Sequence, residues 1–392
     1  MKEVTGGVCA VRGVRAYGIK EGKNGLAVIT GIGSSASAGV FTRNKIIAAP
    51  LVVTREHLKS QQLSAIIANS GCANAFTGEQ GLSDAAGMAG IAADRLGVPV
   101  GLIGVASTGV IGVSLDMGWI KDRIDSVIAG LSDTAEGSTA AARSIMTTDT
   151  RPKEFAIELV SGVRIGGIAK GSGMIFPDMA TMLAFIYTDA DVPYEMLNSC
   201  LKRAVDRSFN MIVVDGDTST SDMVLLTATA EMGIKMKTPD EPGLSEPEFQ
   251  EGLDCVCIEL AKMIARDGEG AEKFIEVRVT DAKTDGDAKL AAKAIVRSPL
   301  VKTAVHGEDP NWGRVIAAAG YSGADLDPDR ISLAITGVTV VDRGGIVDDA
   351  VVDMSGTDIE IAVDLGLGAC EAVAWGCDLT AGYVRINADY TS

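Results

Sequence analysis

The 392-residue sequence predicts a mixed α/β protein with substantial antiparallel sheet. Three observations carry that class. Short apolar runs end repeatedly in glycine or polar turns. Two segments carry apolar residues at helical spacing. Two strand-like runs, FAIELV (155–160) and VRIGGIAKG (163–171), are separated by Ser161-Gly162 alone, which reads as a hairpin.

In chain order, LSAIIANSG (63–71) and VGLIGVAS (100–107) read as buried strands, each running into a polar or glycine turn. The second lies in a charge-free stretch, Leu96 to Leu115, which contains Pro99, five glycines and three hydroxyl residues. That composition suits a strand followed by a glycine-bearing turn, TGVIG (108–112), and argues against a membrane span. After the hairpin, MLAFIYTDA (182–190) is a further strand. Beyond Pro193, the set Leu197, Cys200, Leu201, Ala204 and Val205 predicts a helix. The acidic, proline-bearing stretch KTPDEPGLSEPE (237–248) reads as a surface loop. A capping-box pattern, Ser245 with Glu248, opens a second helix carrying Phe249, Leu253, Val256, Cys257, Leu260 and Ile264, with its stop near Asp267-Gly268. Strands return at FIEVRVTDA (274–282), RISLAITGV (330–338) and IEIAVDLG (359–366). There is no internal repeat, and no dinucleotide fingerprint opens a βαβ unit.

Composition narrows the function classes. Hydrophobic residues make up 47% and charged residues 22%, ordinary for a globular core. Aromatics are only 4% and glycines number 46, so the core is built from aliphatic side chains with many tight turns. A net charge of -17 without a basic stripe argues against nucleic acid as a partner. The N-terminus lacks the apolar run of a signal peptide, and membrane association is not expected. Seven cysteines, an odd count with no CxxC pair, suggest reduced thiols and a cytoplasmic location. The two histidines, His57 and His306, are too few for a multi-histidine metal site, so no metal and no resident cofactor are expected.

The chemistry concentrates in KGSGMIFPDMATMLAFIYTDA, Lys170 to Ala190. Three small residues follow Lys170 and Pro177 interrupts any helix, so its first half is loop; its second half is the strand. Thr181 stands where loop becomes strand. Were the bond before it to open, the new amine would sit beside its own hydroxyl, and one residue would supply both nucleophile and base. Ala180 leaves its carbonyl open to such an attack. By pattern alone, a threonine at this point is ordinarily just a good β-former.

This segment resembles the self-processing site of the ornithine acetyltransferases, also called glutamate N-acetyltransferases. ANSGCANAFTG (68–78), ASTGVIG (106–112), MTTDT (146–150), VDGDTSTSD (214–222), RDGEGAEK (266–273), HGEDPNWGR (306–314) and INADYTS (386–392) resemble that family's landmarks, in order and across nearly the whole chain. The resemblance implies the family's own fold, related to self-processing aminopeptidases, with layered sheets and helices. It implies cleavage between Ala180 and Thr181 into an α chain (1–180) and a β chain (181–392), intertwined and assembled as α2β2. It implies acetyl transfer from N-acetylornithine to glutamate through an acetyl ester on Thr181, in arginine biosynthesis, with acetyl-CoA as a possible co-substrate.

The resemblance also assigns residues. Thr108 and Gly109 match the oxyanion hole, and a glycine turn can indeed aim an N–H at a developing charge. Thr147, Lys170, Thr181, Glu269, Asn387 and Ser392 match substrate-binding positions. A lysine suits an α-carboxylate, and a carboxylate suits ornithine's amine. Read without the family, Thr108-Gly109 is an ordinary turn, Thr147 a helix cap, Lys170 a solvated hairpin residue and Glu269 a surface turn. His306 is either an acid-base group or a hydrogen-bonded loop histidine. Asp215, Asp217 and Asp222 lack the spacing of a calcium loop and favour a hydroxyl-rich structural turn. Two other readings stand beside the transferase. One is a related self-cleaving aminopeptidase or amidohydrolase that passes the acyl group to water. The other is a non-catalytic small-ligand binder.

Overall fold

In the computed structural model, residues 1–31, 33–176, 182–236 and 243–389 are described. The expectations for Ala180, Thr181 and Ser392, and residues 237–242 of the acidic stretch 237–248, lie outside the described residues.

The centre is a six-stranded sheet in the order Lys2–Glu3, Lys153–Glu158, Arg164–Lys170, Leu183–Thr188, Met223–Ala228, Ala36–Phe41. All its pairings are antiparallel except Leu183–Thr188 with Met223–Ala228, which run parallel. Alternation along the strand starting at Leu183 explains how this sheet is packed. Leu183, Phe185 and Tyr187 join one apolar cluster, while Ala184 and Ile186 join another. Both faces are therefore covered, and the strand reads as a continuous apolar run.

The first cluster lies between this sheet and a four-stranded one, ordered Arg15–Glu21, Asn24–Thr30, Ala65–Cys72, Ile103–Val110. Ala27, Ile29, Ile66, Ala68 and Ala106 supply its other side. The far face of the four-stranded sheet carries Val28, Ile67 and Val105 onto the helices Gly78–Leu96 and Met117–Ala129. The far face of the six-stranded sheet meets the helices Tyr194–Arg207 and Glu246–Arg266. The result is four layers: helices, sheet, sheet, helices. A seven-stranded sheet, including Phe274–Ala282, Asp358–Asp364 and Cys370–Cys377, continues the same core beside the helix Asp285–Arg297.

Both helices expected from periodicity are present. Tyr194–Arg207 buries Leu197, Cys200, Leu201, Ala204 and Val205, the five residues that suggested it. Glu246–Arg266 is capped by Ser245, whose hydroxyl accepts from the Glu248 N–H at 3.3 Å, and ends at Asp267. The hairpin at Ser161-Gly162 joins strands in antiparallel register. Two strand readings need correction. RISLAITGV is not one strand: Ser332–Ile335 and Val338–Asp342 form a hairpin around Thr336 and Gly337, both at positive φ. A two-residue turn of that hand matches the twist of the strands. VGLIGVAS is likewise shorter at its start, with Val100–Leu102 a 3-10 turn, and longer at its end, with the strand Ile103–Val110 running into the expected TGVIG turn. Among the described residues no helix is long and apolar enough to cross a membrane.

Candidate active site

The pairing of strands brings distant motifs to one end of the two central sheets. Lys170 ends the strand Arg164–Lys170 and pairs with Leu183, so the chain returns to this spot directly after Thr181. Thr108 and Gly109 lie near the end of Ile103–Val110, where pairing with Ala65–Cys72 slips at a bulge around Gly71 and Cys72. Gly109 has φ +131°, and a Cβ there would lie 2.4 Å from the Gly71 carbonyl carbon, so glycine is required.

The Lys170 side chain is buried rather than solvated. Its Nζ donates to Thr147 Oγ1 at 2.9 Å and to Thr108 Oγ1 at 3.1 Å. An ammonium offers only hydrogens, so both hydroxyls accept from it and keep their own protons to donate elsewhere. Thr147 is therefore not the helix cap of the family-free reading; it follows the helix Ala135–Ser144 and orients toward Lys170. Burial pushes the Lys170 amine below its ordinary value, opposed by Asp149 and aided by Lys153.

Behind this lysine lies a buried ion cluster. Lys153 Nζ donates to Asp149 Oδ1 at 2.7 Å and to Asp267 Oδ2 at 2.5 Å, and all three side chains are almost solvent-free. Asp149 also accepts from the N–H groups of Thr147 and Gly171. Burial alone would raise the Asp149 carboxyl, but Lys170 and Lys153 hold it below the usual carboxylate range. Asp267 ties the cluster to the next motif by accepting from the Thr150 N–H at 3.0 Å.

Glu269 sits two residues beyond Asp267, its N–H donating to the Ser172 carbonyl at 2.9 Å. Gly173 allows the close approach: a Cβ there would come within 2.4 Å of the Glu269 carboxylate. Asn387, on the helix Ala381–Asp389, donates through Nδ2 to Glu269 Oε2 at 2.8 Å.

Thr108, Gly109, Thr147, Lys170, Glu269 and Asn387 all line one cleft of about 110 Å³. Thr181, Ala180 and Ser392 fall outside the described residues. The cleft has a cation with two oriented hydroxyls at one side and a carboxylate with an amide at the other. That suits a small molecule carrying both a carboxylate and an amine.

Sequence reasoning missed Thr148, Met174, Ser219, Thr220 and Ser221, which also line the cleft, and the Asp149–Lys153–Asp267 cluster behind it. Apart from Lys153, these lie inside stretches that had been singled out; the missing signal was which side chain turns inward. His306 is elsewhere, its Nδ1 3.1 Å from Asp378 Oδ2 and 3.7 Å from Glu272, and it does not line the cleft. Asp215 and Asp222 accept backbone N–H groups, in keeping with a structural turn.

A glutamate N-acetyltransferase of Methanosarcina mazei is 55% identical over 403 residues, covering the whole of both chains. The arginine biosynthesis bifunctional protein ArgJ of Symbiobacterium thermophilum is 50% identical over 404 residues, again covering both. A solved structure, the arginine biosynthesis bifunctional protein argJ of Bacillus halodurans, matches 53% of this chain and 98% of its own at 42% identity, with a TM-score of 0.49. The model of the ArgJ family matches residues 11–392, a span that contains every residue of the cleft. The chain belongs to the ArgJ family.

Proposed function

We propose that this chain is a glutamate N-acetyltransferase of arginine biosynthesis, moving an acetyl group from N2-acetyl-L-ornithine to L-glutamate through an ester on Thr181. The observation that carries the reading is the gathering of Thr108, Gly109, Thr147, Lys170, Glu269 and Asn387 in one cleft, at the point where the chain re-enters the sheet after Thr181.

In this reading the chain first cuts itself before Thr181, giving an α chain of 1–180 and a β chain of 181–392. The Thr181 hydroxyl then attacks the acetyl carbonyl, its own amine taking the proton. The Thr108 hydroxyl, held as an acceptor by Lys170, has its proton free for the developing oxyanion, and the Gly109 N–H is the second donor. Lys170 and Thr147 receive the substrate carboxylate. Glu269, steadied by Asn387, receives the ornithine side-chain amine, with Ser392 as a further contact. Ornithine leaves, glutamate enters, and the ester passes its acetyl to the new amine. Seven free thiols fit a reducing cytoplasm, and the assembly is read as α2β2. Acetyl-CoA is a possible second donor; no resident cofactor is invoked. Identity of 55% along the whole length of a relative named glutamate N-acetyltransferase favours glutamate over water as acceptor.

Intact mass measurement of purified protein tests the first step: two fragments meeting at Ala180 and Thr181 are expected, and one uncut chain from Thr181→Ala. Incubation with N-acetylornithine and glutamate tests the second: acetyl should appear on glutamate. An active wild-type preparation that remains a single chain would falsify the nucleophile assignment, and release of acetate alone would replace the acceptor.

A further inference from the structure

The turn Val214 to Asp222 touches the chain on both sides of the segment 177–181. Upstream, Asp215 Oδ2 accepts from the Met174 N–H at 2.6 Å and Oδ1 from the Ile175 N–H at 2.9 Å. The Val214 N–H donates to the Ile175 carbonyl at 2.8 Å, and the Thr218 hydroxyl to the Phe176 carbonyl at 3.1 Å. Downstream, Asp222 Oδ1 accepts from the Met182 N–H at 2.9 Å. The Met182 carbonyl in turn accepts from the Met223 N–H at 3.1 Å.

The Met182 N–H belongs to the peptide unit that joins Thr181 to Met182. That unit is planar, so a hydrogen bond to its N–H restrains the first peptide after Thr181. Asp222 is fully buried, and its second oxygen, Oδ2, has no hydrogen-bond partner among the described residues. A buried, half-partnered carboxyl is costly for folding alone, which sets it apart from the other acids of the turn.

We propose that this turn is a clamp on the self-cleavage segment, in which Asp222 acts as the positioning residue for Thr181 and Asp215 as the grip on the upstream end. The inference rests on Thr181 being the nucleophile. It adds the reason that two ends of a glycine-bearing loop hold still enough for a hydroxyl to meet the preceding carbonyl. It also leaves hydrogen bonds from one turn to the chain on each side of the cut, at Met174, Ile175 and Phe176 upstream and at Met182 downstream.

Burial pushes the Asp222 carboxyl well above its ordinary value, against the pull of the Met182 N–H, of Lys170 and of the nearby Ser219 and Thr42 hydroxyls. A neutral acid at this place presents a carbonyl oxygen to Met182 and a hydroxyl at Oδ2. Asparagine has the same shape, an oxygen acceptor and a donor. It should therefore stand in for Asp222, whereas alanine should not.

The test follows cutting with time on denaturing gels, for full-length wild type, Asp222→Asn, Asp222→Ala, Asp215→Ala and Thr181→Ala, with thermal melting and steady-state kinetics on whatever is cut. The expected result is cutting slowed by about 10- to 100-fold in Asp222→Ala and Asp215→Ala, the scale of a misplaced reacting group. Asp222→Asn should cut within about threefold of wild type. Cut Asp222→Ala should show a reduced kcat with little change in KM, because the substrate contacts of Lys170 and Glu269 are untouched. If the alanine variant fails to fold, Asp222→Ser, polar but too short to reach Met182, takes its place. Wild-type rates in the alanine or serine variant overturn the clamp. So does an asparagine variant as slow as alanine, which would assign the role to the acid's proton. A wild-type chain that is never cut would instead overturn the nucleophile reading, a distinct outcome.

Discussion

Lys170 illustrates how a single residue changes meaning once the fold is in view. At the end of a hairpin strand its natural expectation is solvent, yet it is buried with its ammonium on two threonine hydroxyls. No ion pair ties it to Asp149, which already has Lys153 and two backbone N–H partners. Lys170→Met removes a costly buried charge, and although Asp149 loses one of the two cations that hold it low, it keeps its Lys153 ion pair and two backbone N–H partners. Its melting temperature should stay within a few degrees of wild type while kcat/KM for N-acetylornithine falls about 100-fold or more; a parallel loss of fold and activity would make the lysine structural. Gly109 makes a complementary case. With φ +131° and the Gly71 backbone 2.4 Å from any Cβ, Gly109→Ala must displace the bulge. Loss of an oxyanion donor lowers kcat about 10²- to 10³-fold. Steady-state rates on the folded variant would show it, and an unchanged kcat would take the Gly109 N–H out of the oxyanion hole.

At the scale of elements, the cleft depends on the Asp149–Lys153–Asp267 cluster, which ties the loop after the helix Ala135–Ser144 to the end of the helix Glu246–Arg266. Lys153→Met leaves two buried carboxylates facing one another and should cost about 3–5 kcal/mol in denaturant unfolding. Asp149 gives the pH dependence a sign. Its folded value lies below the unfolded one, so its contribution is present above about pH 4 and fades as the pH falls toward the folded value. Asp149→Asn should flatten the loss of stability below pH 4 by up to about 1.4 kcal/mol per pH unit; equal slopes would show that the carboxylate is not the group titrating. Such a cluster was not legible in the sequence, because its members are 118 residues apart at the extremes and only the paired strands and helix ends unite them. The helices at 194–207 and 246–266 were legible because large aliphatics mark their buried faces. The helix Gly78–Leu96 was not: its buried face is Ala85, Met88, Ala89, Ala92 and Ala93, too small to stand out among glycines. The cleft motifs were legible only through resemblance, since a lone threonine, lysine or Asp-Gly-Glu turn has an ordinary structural reading.

At the scale of the whole molecule, the central sheet alternates between the two sides of the proposed cut. Leu183–Thr188 pairs with Arg164–Lys170 across it, and Met223–Ala228 pairs with Ala36–Phe41 far upstream. Each junction is an antiparallel ladder, and the cluster containing Leu183, Phe185, Tyr187 and Ile66 interlocks side chains from both fragments. Cutting the peptide bond before Thr181 breaks none of these contacts, which all lie between other residues. Separating the fragments, by contrast, would open two sheet junctions and uncover the face of the strand Leu183–Thr188 that carries Leu183, Phe185 and Tyr187, at about 1.5–3 kcal/mol for each large side chain uncovered. The cut protein should therefore elute as one species in native size-exclusion chromatography at micromolar concentration, with both fragments in the peak at equal ratio, and should part only in denaturant. Because the ladder and core exist before the cut, its unfolding midpoint should also lie close to that of uncut Thr181→Ala. Fragments that drift apart in native buffer would mean that the shared sheet is too weak to hold the cleft together.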